Sequence, residues 1–233
     1  MIGRLSLARR LTVQDARHGK PPGADALIAR WNESMTRTLL EFVWRGYDAL
    51  LAVTLARVRW DADYREVERS ICQAFDPMIR DAMTDHAACY IQHAPYEYES
   101  GFDGRAQSPQ YDLAFVLYSD PRIMWPLEAK VLNTDRDTER NLKNYIDTVK
   151  GRYLTCYYAP FSNGGAMLGF LKVGDSAAVL DHIEARLASA LIPYAPFPNR
   201  PHRVSAHPRT VPPGKGYPAD FHCHHLILAL SDE

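Results

Sequence analysis

The fold is decided by residues 108–132, SPQYDLAFVLYSDPRIMWPLEAKVL, where two apolar runs are interrupted by a few charged side chains. Both runs are short and rich in aliphatic and aromatic residues, and Pro, Ser and Asp bound them, which is typical of buried β-strands. Asp112 opens the first run, whereas Glu128 and Lys130 stand inside the second. Because a buried strand is ordinarily apolar, charges at these three positions indicate a specific use.

Alternation along the second run places its charges together. Side chains alternate between the two faces of a strand, so Glu128 and Lys130 share one face while Leu127 and Ala129 share the other. The short connection between the two runs favours pairing of the strands as neighbours. Asp112 is then expected to lie beside Glu128 and Lys130, which gives a cluster of two carboxylates and one lysine.

Such a cluster predicts a metal site. Carboxylates that converge at an apolar sheet repel each other and lose hydration, unless a cation lies between them. Oxygen ligands of this kind are the ones that Mg²⁺ prefers, and Mn²⁺ is an expected substitute. A bound metal would polarise a phosphate, while Lys130 would orient the attacking water or offset negative charge in the transition state.

Two amphipathic helices are predicted before the strands. The first covers about residues 24–57 with a bend at Gly46, and the second begins after a cap at Asp61 or Asp63. Pro77 lies inside the second helical pattern and predicts a kink or a restart there.

The remainder of the chain predicts further strands and helices, which together indicate an α/β layered domain. Helices are predicted after a cap at Thr134 or Asp135 and after a cap at Asp175, and a Pro-rich loop precedes the last strand. The predicted strands cover residues 89–99, 111–118, 125–132, 166–173 and 221–230.

The charged residues and the order of elements resemble the PD-(D/E)XK nuclease superfamily, whose fold is also called restriction-endonuclease-like. In that superfamily an Asp starts the second core strand, Glu-x-Lys lies in the third, and a glutamate on the preceding helix often completes the metal site. The resemblance therefore implies that Asp112 and Glu128 are metal ligands and that Lys130 is the catalytic lysine. It offers Glu68, or less favourably Glu66, as the helix glutamate and further ligand.

The sequence departs from the superfamily at one point and leaves much of the chain unexplained by it. The superfamily's proline before the Asp is missing, since Gln110 and Tyr111 stand there, although Pro109 is close. The resemblance covers roughly residues 64–173. It implies an N-terminal arm and long helix over residues 1–60 and a nuclease-like domain over residues 61–233.

The resemblance implies a metal-dependent endonuclease that hydrolyses phosphodiester bonds, with DNA as the favoured substrate and prokaryotic restriction or anti-phage defence as the setting. Two alternatives remain open: a catalytically silent subunit of the same fold that binds nucleic acid or serves assembly, and a nuclease that needs an activating partner. Lys143, Lys150 and Arg152, on or just after the helix that follows the site, are candidates for gripping phosphates. A solvated helix face predicts the same three residues.

Composition restricts the setting. The net charge of −1 and pI near 6.8 give no global attraction to nucleic acid or to an anionic membrane, so a polyanion must be held by a local patch. No apolar stretch reaches the roughly 20 residues of a membrane span. The four cysteines form no CxxC pair, which favours reduced thiols in the cytoplasm.

Two further patterns concern the C-terminal tail and the long helix. The tail is rich in histidine, but alternation puts His222 and His224 on one face and His225 on the other, which argues against zinc. Large aromatic residues occupy more of the long helix than one core-facing stripe requires, which predicts an interface with a second copy or an activating protein. The alternative is that the chain's own N-terminal arm and C-terminal loop cover this helix.

Overall fold

The structure is a computed structural model that describes residues 29, 31–53, 63–97, 99, 108–133 and 138–230. Four α-helices lie in these ranges: α1 Glu33–Val53, α2 Tyr64–Ala82, α3 Thr138–Thr148 and α4 Ser176–Leu187. A π-helical turn, Val149–Tyr153, continues α3. Seven strands accompany the helices: β1 Cys89–His93, β2 Leu113–Leu117, β3 Asp120–Leu132, β4 Gly164–Leu171, β5 Ile192–Pro193, β6 His202–Pro208 and β7 Asp220–Ala229.

The strands form one mixed seven-stranded sheet in the order β1-β2-β3-β4-β7-β6-β5. Strand β2 is antiparallel to both β1 and β3, while β3, β4 and β7 run parallel to one another. Strands β6 and β5 extend the sheet in the antiparallel sense beyond β7. The prediction of an α/β domain with a mixed sheet flanked by helices is therefore confirmed.

The sheet separates two apolar cores, which makes a three-layered domain. On one face Leu127 and Val131 of β3 pack in the same core as Phe75 of α2 and the buried side of α1. On the other face Ala114 of β2 packs in the same core as Tyr145 of α3 and the buried side of α4. The predicted alternation along β3 is confirmed, because its odd-numbered apolar residues lie in the first core.

Helix boundaries follow their caps. Asn32 Oδ1 accepts a hydrogen bond from Met35 N–H at 2.9 Å, so α1 begins at Glu33 and not near residue 24 as predicted. The expected cap at Asp63 is confirmed by its bond from Arg65 N–H at 3.0 Å, and the cap at Asp175 by its bond from Ala177 N–H.

Some predicted helix caps and helix ends fall on residues that the structure does not describe. The caps at Asp61, Thr134 and Asp135 lie outside the described residues, as do the arm over residues 1–28 and the stretch 54–57 at the end of the predicted first helix.

Helices α1 and α2 continue through the two residues that predict interruptions. A Cβ atom at Gly46 would lie 2.8 Å from Ile79 Cγ1 and 3.0 Å from the Ile79 backbone nitrogen, so this glycine allows α1 to approach α2 closely. Helix α1 is unbroken at that point, and α2 runs on through Pro77. The predicted restart at Pro77 is wrong.

Strand β3 is longer than the sequence predicts. It begins at Asp120, inside the stretch that the prediction treated as a connection, and Leu117 pairs with Asp120 across a tight turn. Asp120 Oδ1 accepts hydrogen bonds from the backbone and side chain of Arg122, so charges that look like a loop are satisfied locally.

The C-terminal part of the chain covers α1. The predicted Pro-rich loop contains β5 and β6, which the sequence did not reveal. Just before β6, the Arg200 guanidinium lies over the Trp44 ring, 5.0 Å from the ring centre. Its Nη2 atom is 2.6 Å from Asp48 Oδ2. Tyr47 donates a hydrogen bond to the Ala229 carbonyl at 2.5 Å.

The aromatic residues that predict an interface are therefore buried within the chain itself. They are Trp31, Phe42, Trp44 and Tyr47. Of the two alternatives, cover by the chain's own C-terminal part is the one that the described residues show.

Two further features concern the helices and the cysteines. No helix in the described ranges combines the length and apolar character that crossing a membrane requires. All four cysteines are buried, and none of them forms a disulfide with another described residue.

Candidate active site

The floor of the site is formed by neighbouring strands, as the sequence predicts. Leu113 of β2 pairs with Leu127 of β3, so Asp112, one position earlier, comes opposite Glu128, one position later. Asp112 Oδ2 accepts a hydrogen bond from Ala129 N–H at 2.7 Å. This bond fixes the Asp112 carboxylate at the end of β2, against the middle of β3.

Helix α2 brings the third carboxylate. Glu68 Oε1 accepts a hydrogen bond from Val131 N–H at 3.1 Å, which ties the first half of α2 to β3. Glu66 is exposed and does not line the cleft above the floor, so of the two predicted glutamates the structure places Glu68 at the site.

Lys130 lies between these carboxylates. Its Nζ is 3.0 Å from Glu128 Oε1 and 3.5 Å from Glu68 Oε2, and it donates a 2.5 Å hydrogen bond to the Ala129 carbonyl. The ammonium thus contacts three oxygen atoms from β3 and α2, and it is the local counter-ion of the acidic cluster.

The charges of the cluster are strongly coupled. Burial, followed by the neighbouring Asp112 carboxylate, raises the pKa of Glu128 to about 7. Burial also raises the pKa of Glu68. Burial by itself lowers the pKa of Lys130, but the carboxylates of Glu128, Asp112 and Glu68 outweigh it and raise that pKa. Lys130 is therefore positively charged at neutral pH.

The donor set fits a hard divalent cation in its chemistry. Glu128 is 4% exposed, and its Oε2 is buried without a hydrogen-bond partner among the described residues. With the carboxylates of Asp112 and Glu68 and the Ala129 carbonyl, it makes an all-oxygen set, which Mg²⁺ prefers. In the described ranges, however, no three His, Cys, Asp or Glu side chains are grouped closely enough to hold a metal as they stand. Lys130 takes the place of a cation in this arrangement.

A cleft of about 860 Å³ lies above this floor. Its walls are the N-terminal half of α2 on one side and α3 with its π-helical turn on the other. The side chains in the walls are mostly polar or charged. They include Arg65 and Arg69 on α2, and Arg140, Asn141, Asn144, Thr148 and Arg152 on the other wall.

Arg152 is the basic residue nearest to the floor. Its Nη1 is 4.0 Å from Glu128 Oε1 and donates a hydrogen bond to the Tyr158 hydroxyl, and its guanidinium lies 5.0 Å from the centre of the Tyr158 ring. Tyr158 in turn donates to the Gln110 carbonyl at 3.0 Å. The π-helical turn and buried Tyr158 together hold Arg152 at the cleft.

The structure separates the three predicted phosphate-binding residues. Arg152 lines the cleft, whereas Lys143 and Lys150 do not. Lys143 pairs with Asp147 at 2.5 Å, and Lys150 donates to the Arg186 carbonyl at 2.8 Å. Sequence reasoning missed Arg65, Arg69 and Arg140 in the cleft walls. For Arg140 the signal in the sequence was the four-residue spacing of Arg140, Asn144, Thr148 and Arg152, which places these side chains on one face of a helix.

The C-terminal histidines lie away from the cleft in two buried chains of hydrogen bonds. His202 Nε2 is 3.1 Å from His224 Nδ1. Ser205 Oγ is 2.8 Å from His225 Nε2 and 2.7 Å from His207 Nε2, and the Tyr145 hydroxyl is 2.9 Å from His225 Nδ1. Burial lowers the pKa of His224 and that of His225 to about 3. These residues link β6, β7 and α3.

No protein-family model matches the chain, and neither curated proteins nor solved structures give a significant match.

Proposed function

We propose that the chain is a metal-dependent endonuclease of restriction-endonuclease-like fold that hydrolyses phosphodiester bonds, with DNA as the favoured substrate. One observation carries the proposal: Asp112, Lys130 and Glu68 converge on the floor of one cleft with arginines in its walls, and buried Glu128 lies against Lys130 and opposite Asp112. The order α2, β1, β2, β3, α3, β4 supports the resemblance to the PD-(D/E)XK superfamily.

The chain's own residues divide the work. Asp112, Glu128 and the Ala129 carbonyl would hold Mg²⁺, or Mn²⁺ in its place, with Glu68 as a further ligand. The metal would supply Lewis-acid polarisation of the phosphate and a bound water of lowered pKa. Because the carboxylates keep Lys130 charged, this lysine acts as a hydrogen-bond donor to water or phosphate oxygen and not as a base. Arg152 would bind a phosphate oxygen beside Glu128.

A second candidate function is a catalytically silent subunit of the same fold that binds nucleic acid or serves assembly. One observation favours it: the Lys130 ammonium already fills the space between Glu128 and Glu68. In an active enzyme Lys130 would move towards the substrate when these carboxylates hold a metal, whereas in a silent subunit the ion pairs would be structural.

The resemblance to the superfamily also implies the biological setting, which is cytoplasmic restriction or anti-phage defence. A homodimer would supply two sites for cutting both strands of a duplex, and an activating partner would supply regulation.

The proposal is tested by incubating the purified chain with plasmid DNA, linear DNA and RNA, each in Mg²⁺, in Mn²⁺ and in EDTA. We expect hydrolysis in either metal and none in EDTA. Undiminished cleavage in EDTA would contradict the metal-dependent mechanism. Absence of cleavage in every arm, with nucleic-acid binding retained, would favour the silent subunit.

A further inference from the structure

Three arginines of the cleft have no partner among the residues that the structure describes. Arg65, Arg69 and Arg140 are exposed, and none of their side chains makes a hydrogen bond or ion pair with another described residue. Five arginines elsewhere on the described surface are paired with carboxylates, whereas Arg37 and Arg45 on α1 are exposed and unpaired among the described residues. The paired ones are Arg80 with Asp76, Arg122 with Asp120, Arg186 with Glu139, Arg200 with Asp48 and Arg203 with Asp181. Unpaired guanidinium groups on both walls of one cleft fit an anionic ligand that lies between them.

The two acidic residues of the same walls have partners other than these arginine side chains. Asp63 is engaged as the N-cap of α2, where its side chain accepts from the Arg65 backbone N–H, and Asp147 pairs with Lys143. A chain of phosphates would therefore meet free positive charge on both walls, and carboxylates with their lysine only on the floor.

The size of the cleft limits what can lie in it. A volume of about 860 Å³ falls within the range of about 300 to 1,000 Å³ that is typical of sites for small ligands. Glu128 does not line the cleft itself: it is 4% exposed and contacts Lys130, which does. This volume suits a few nucleotides of one strand, so we expect a duplex to bring a phosphate to the floor only where its two strands are separated.

The remaining wall residues suit unpaired bases. Asn141 is 5% exposed, and its Nδ2 is buried without a partner in the described part of the chain, while Asn144 is exposed one turn further along α3. Carboxamides pair with base edges, which are free in a single strand. Tyr64 and His93 also line the cleft, and aromatic rings of this kind stack on unpaired bases.

We infer that the cleft binds single-stranded nucleic acid, with the phosphates between the arginines of α2 and those of α3 and the bases against the asparagines of α3. This inference rests on the proposed function, since it names the form of substrate that reaches the floor. Single-stranded DNA and single-stranded RNA share the chemistry that the walls recognise.

Binding and cleavage are measured separately to test it. Fluorescence anisotropy in EDTA compares labelled single-stranded DNA of about 12 nucleotides, RNA of the same sequence and the corresponding duplex DNA. We expect a Kd at least about tenfold lower for one or both single strands than for the duplex. In a plot of the logarithm of the single-strand binding constant against the logarithm of the salt concentration, the slope should be no steeper than about −3. Each of four arginine contacts contributes about −0.7 to it.

Variants locate the binding to the walls. Arg69→Ala and Arg140→Ala should each weaken single-strand binding roughly three- to tenfold and reduce the salt slope by about 0.7. Lys150→Ala, a change just beyond α3 but outside the cleft, is the matched control and should change neither. Arg69 and Arg140 are exposed and make no bond to another described residue, so their replacement should leave the melting temperature unchanged.

The outcomes separate this inference from the nuclease proposal. Equal affinity for duplex and single strand, or wall variants that bind like the control, would overturn it even if the protein cleaves DNA. Single-strand binding that depends on both walls, without cleavage in Mg²⁺, would support it while contradicting the nuclease proposal.

Discussion

Lys130 Nζ lies 3.0 Å from Glu128 Oε1, on the same face of β3 and two residues away in sequence. Both side chains are largely buried, with 16% and 6% of their surface exposed, so this is an internal ion pair and not a surface one. Lys130 is therefore the counter-ion of the acidic floor, and substitution of this lysine tests that role.

Lys130→Met should destabilise the metal-free protein. It leaves Glu128 buried beside Asp112 without its main positive partner, and breaking a buried ion pair costs about 3 kcal/mol. Chemical denaturation in EDTA measures the loss. Lys143→Met removes an exposed pair on α3 and should cost less than about 0.5 kcal/mol. An equal effect of the two changes would show that the pair with Glu128 is not structural.

Two substitutions of Asp112 should differ in their effect on stability. Asp112→Asn keeps an oxygen acceptor for Ala129 N–H and removes a charge that raises the pKa of Glu128, so metal-free stability should be unchanged or higher. Asp112→Ala also removes that hydrogen bond and should cost about 1 to 2 kcal/mol relative to Asn. Thermal melts in EDTA compare them, and both should abolish cleavage. A stability for Asn as low as that for Ala would contradict this reasoning.

Tyr158→Phe should weaken catalysis through Arg152. The change removes the hydroxyl that accepts from Arg152 Nη1 but keeps the ring beneath the guanidinium. We expect kcat/KM to fall about tenfold, or about 1.4 kcal/mol in transition-state stabilisation, and Arg152→Ala to cost more. Arg152→Lys should not restore activity, because an ammonium lacks the planar fork. A Tyr158→Phe enzyme as active as the wild type would remove Tyr158 from this positioning role.

Stability should fall as the pH falls below about 6.5. Burial lowers the pKa of His224 and of His225 to about 3, below the value of an unfolded histidine. Between these two pKa values the unfolded chain binds more protons than the folded one. Each histidine therefore lowers the free energy of unfolding by about 1.4 kcal/mol for every unit by which the pH falls. The pKa of Glu128, raised from 4.5 to about 7, acts in the opposite sense and offsets about one of the two histidines. Denaturant titrations from pH 7 to pH 4 measure the net slope, which His224→Gln should reduce. A flat profile would contradict it.

The layers and the floor of the site could be predicted because they depend on local patterns. Alternation placed Glu128 and Lys130 on one face of β3, and a short connection made β2 its neighbour, so Asp112 followed. Glu68 could be proposed only through the resemblance, because its contact with Val131 joins residues far apart in the sequence.

The walls of the cleft and the C-terminal strands could not be predicted, for two physical reasons. Arg65, Arg69 and Arg140 look like any solvated helix face until α2 and α3 are placed opposite each other. Strand β6 lacks the apolar alternation that marks a strand, because polar residues such as His202 and Ser205 are buried there through hydrogen bonds to β7.

The proposed metal-dependent hydrolysis of phosphodiester bonds requires Glu128, and one comparison tests this requirement. Wild-type protein and Glu128→Gln are incubated with the same labelled DNA in Mg²⁺, and initial rates are measured after both are shown to be folded by circular dichroism. We predict that Gln, which keeps the shape but not the negative charge, lowers the rate at least about a hundredfold, or about 2.7 kcal/mol. A folded Glu128→Gln protein that cleaves at the wild-type rate would contradict the account.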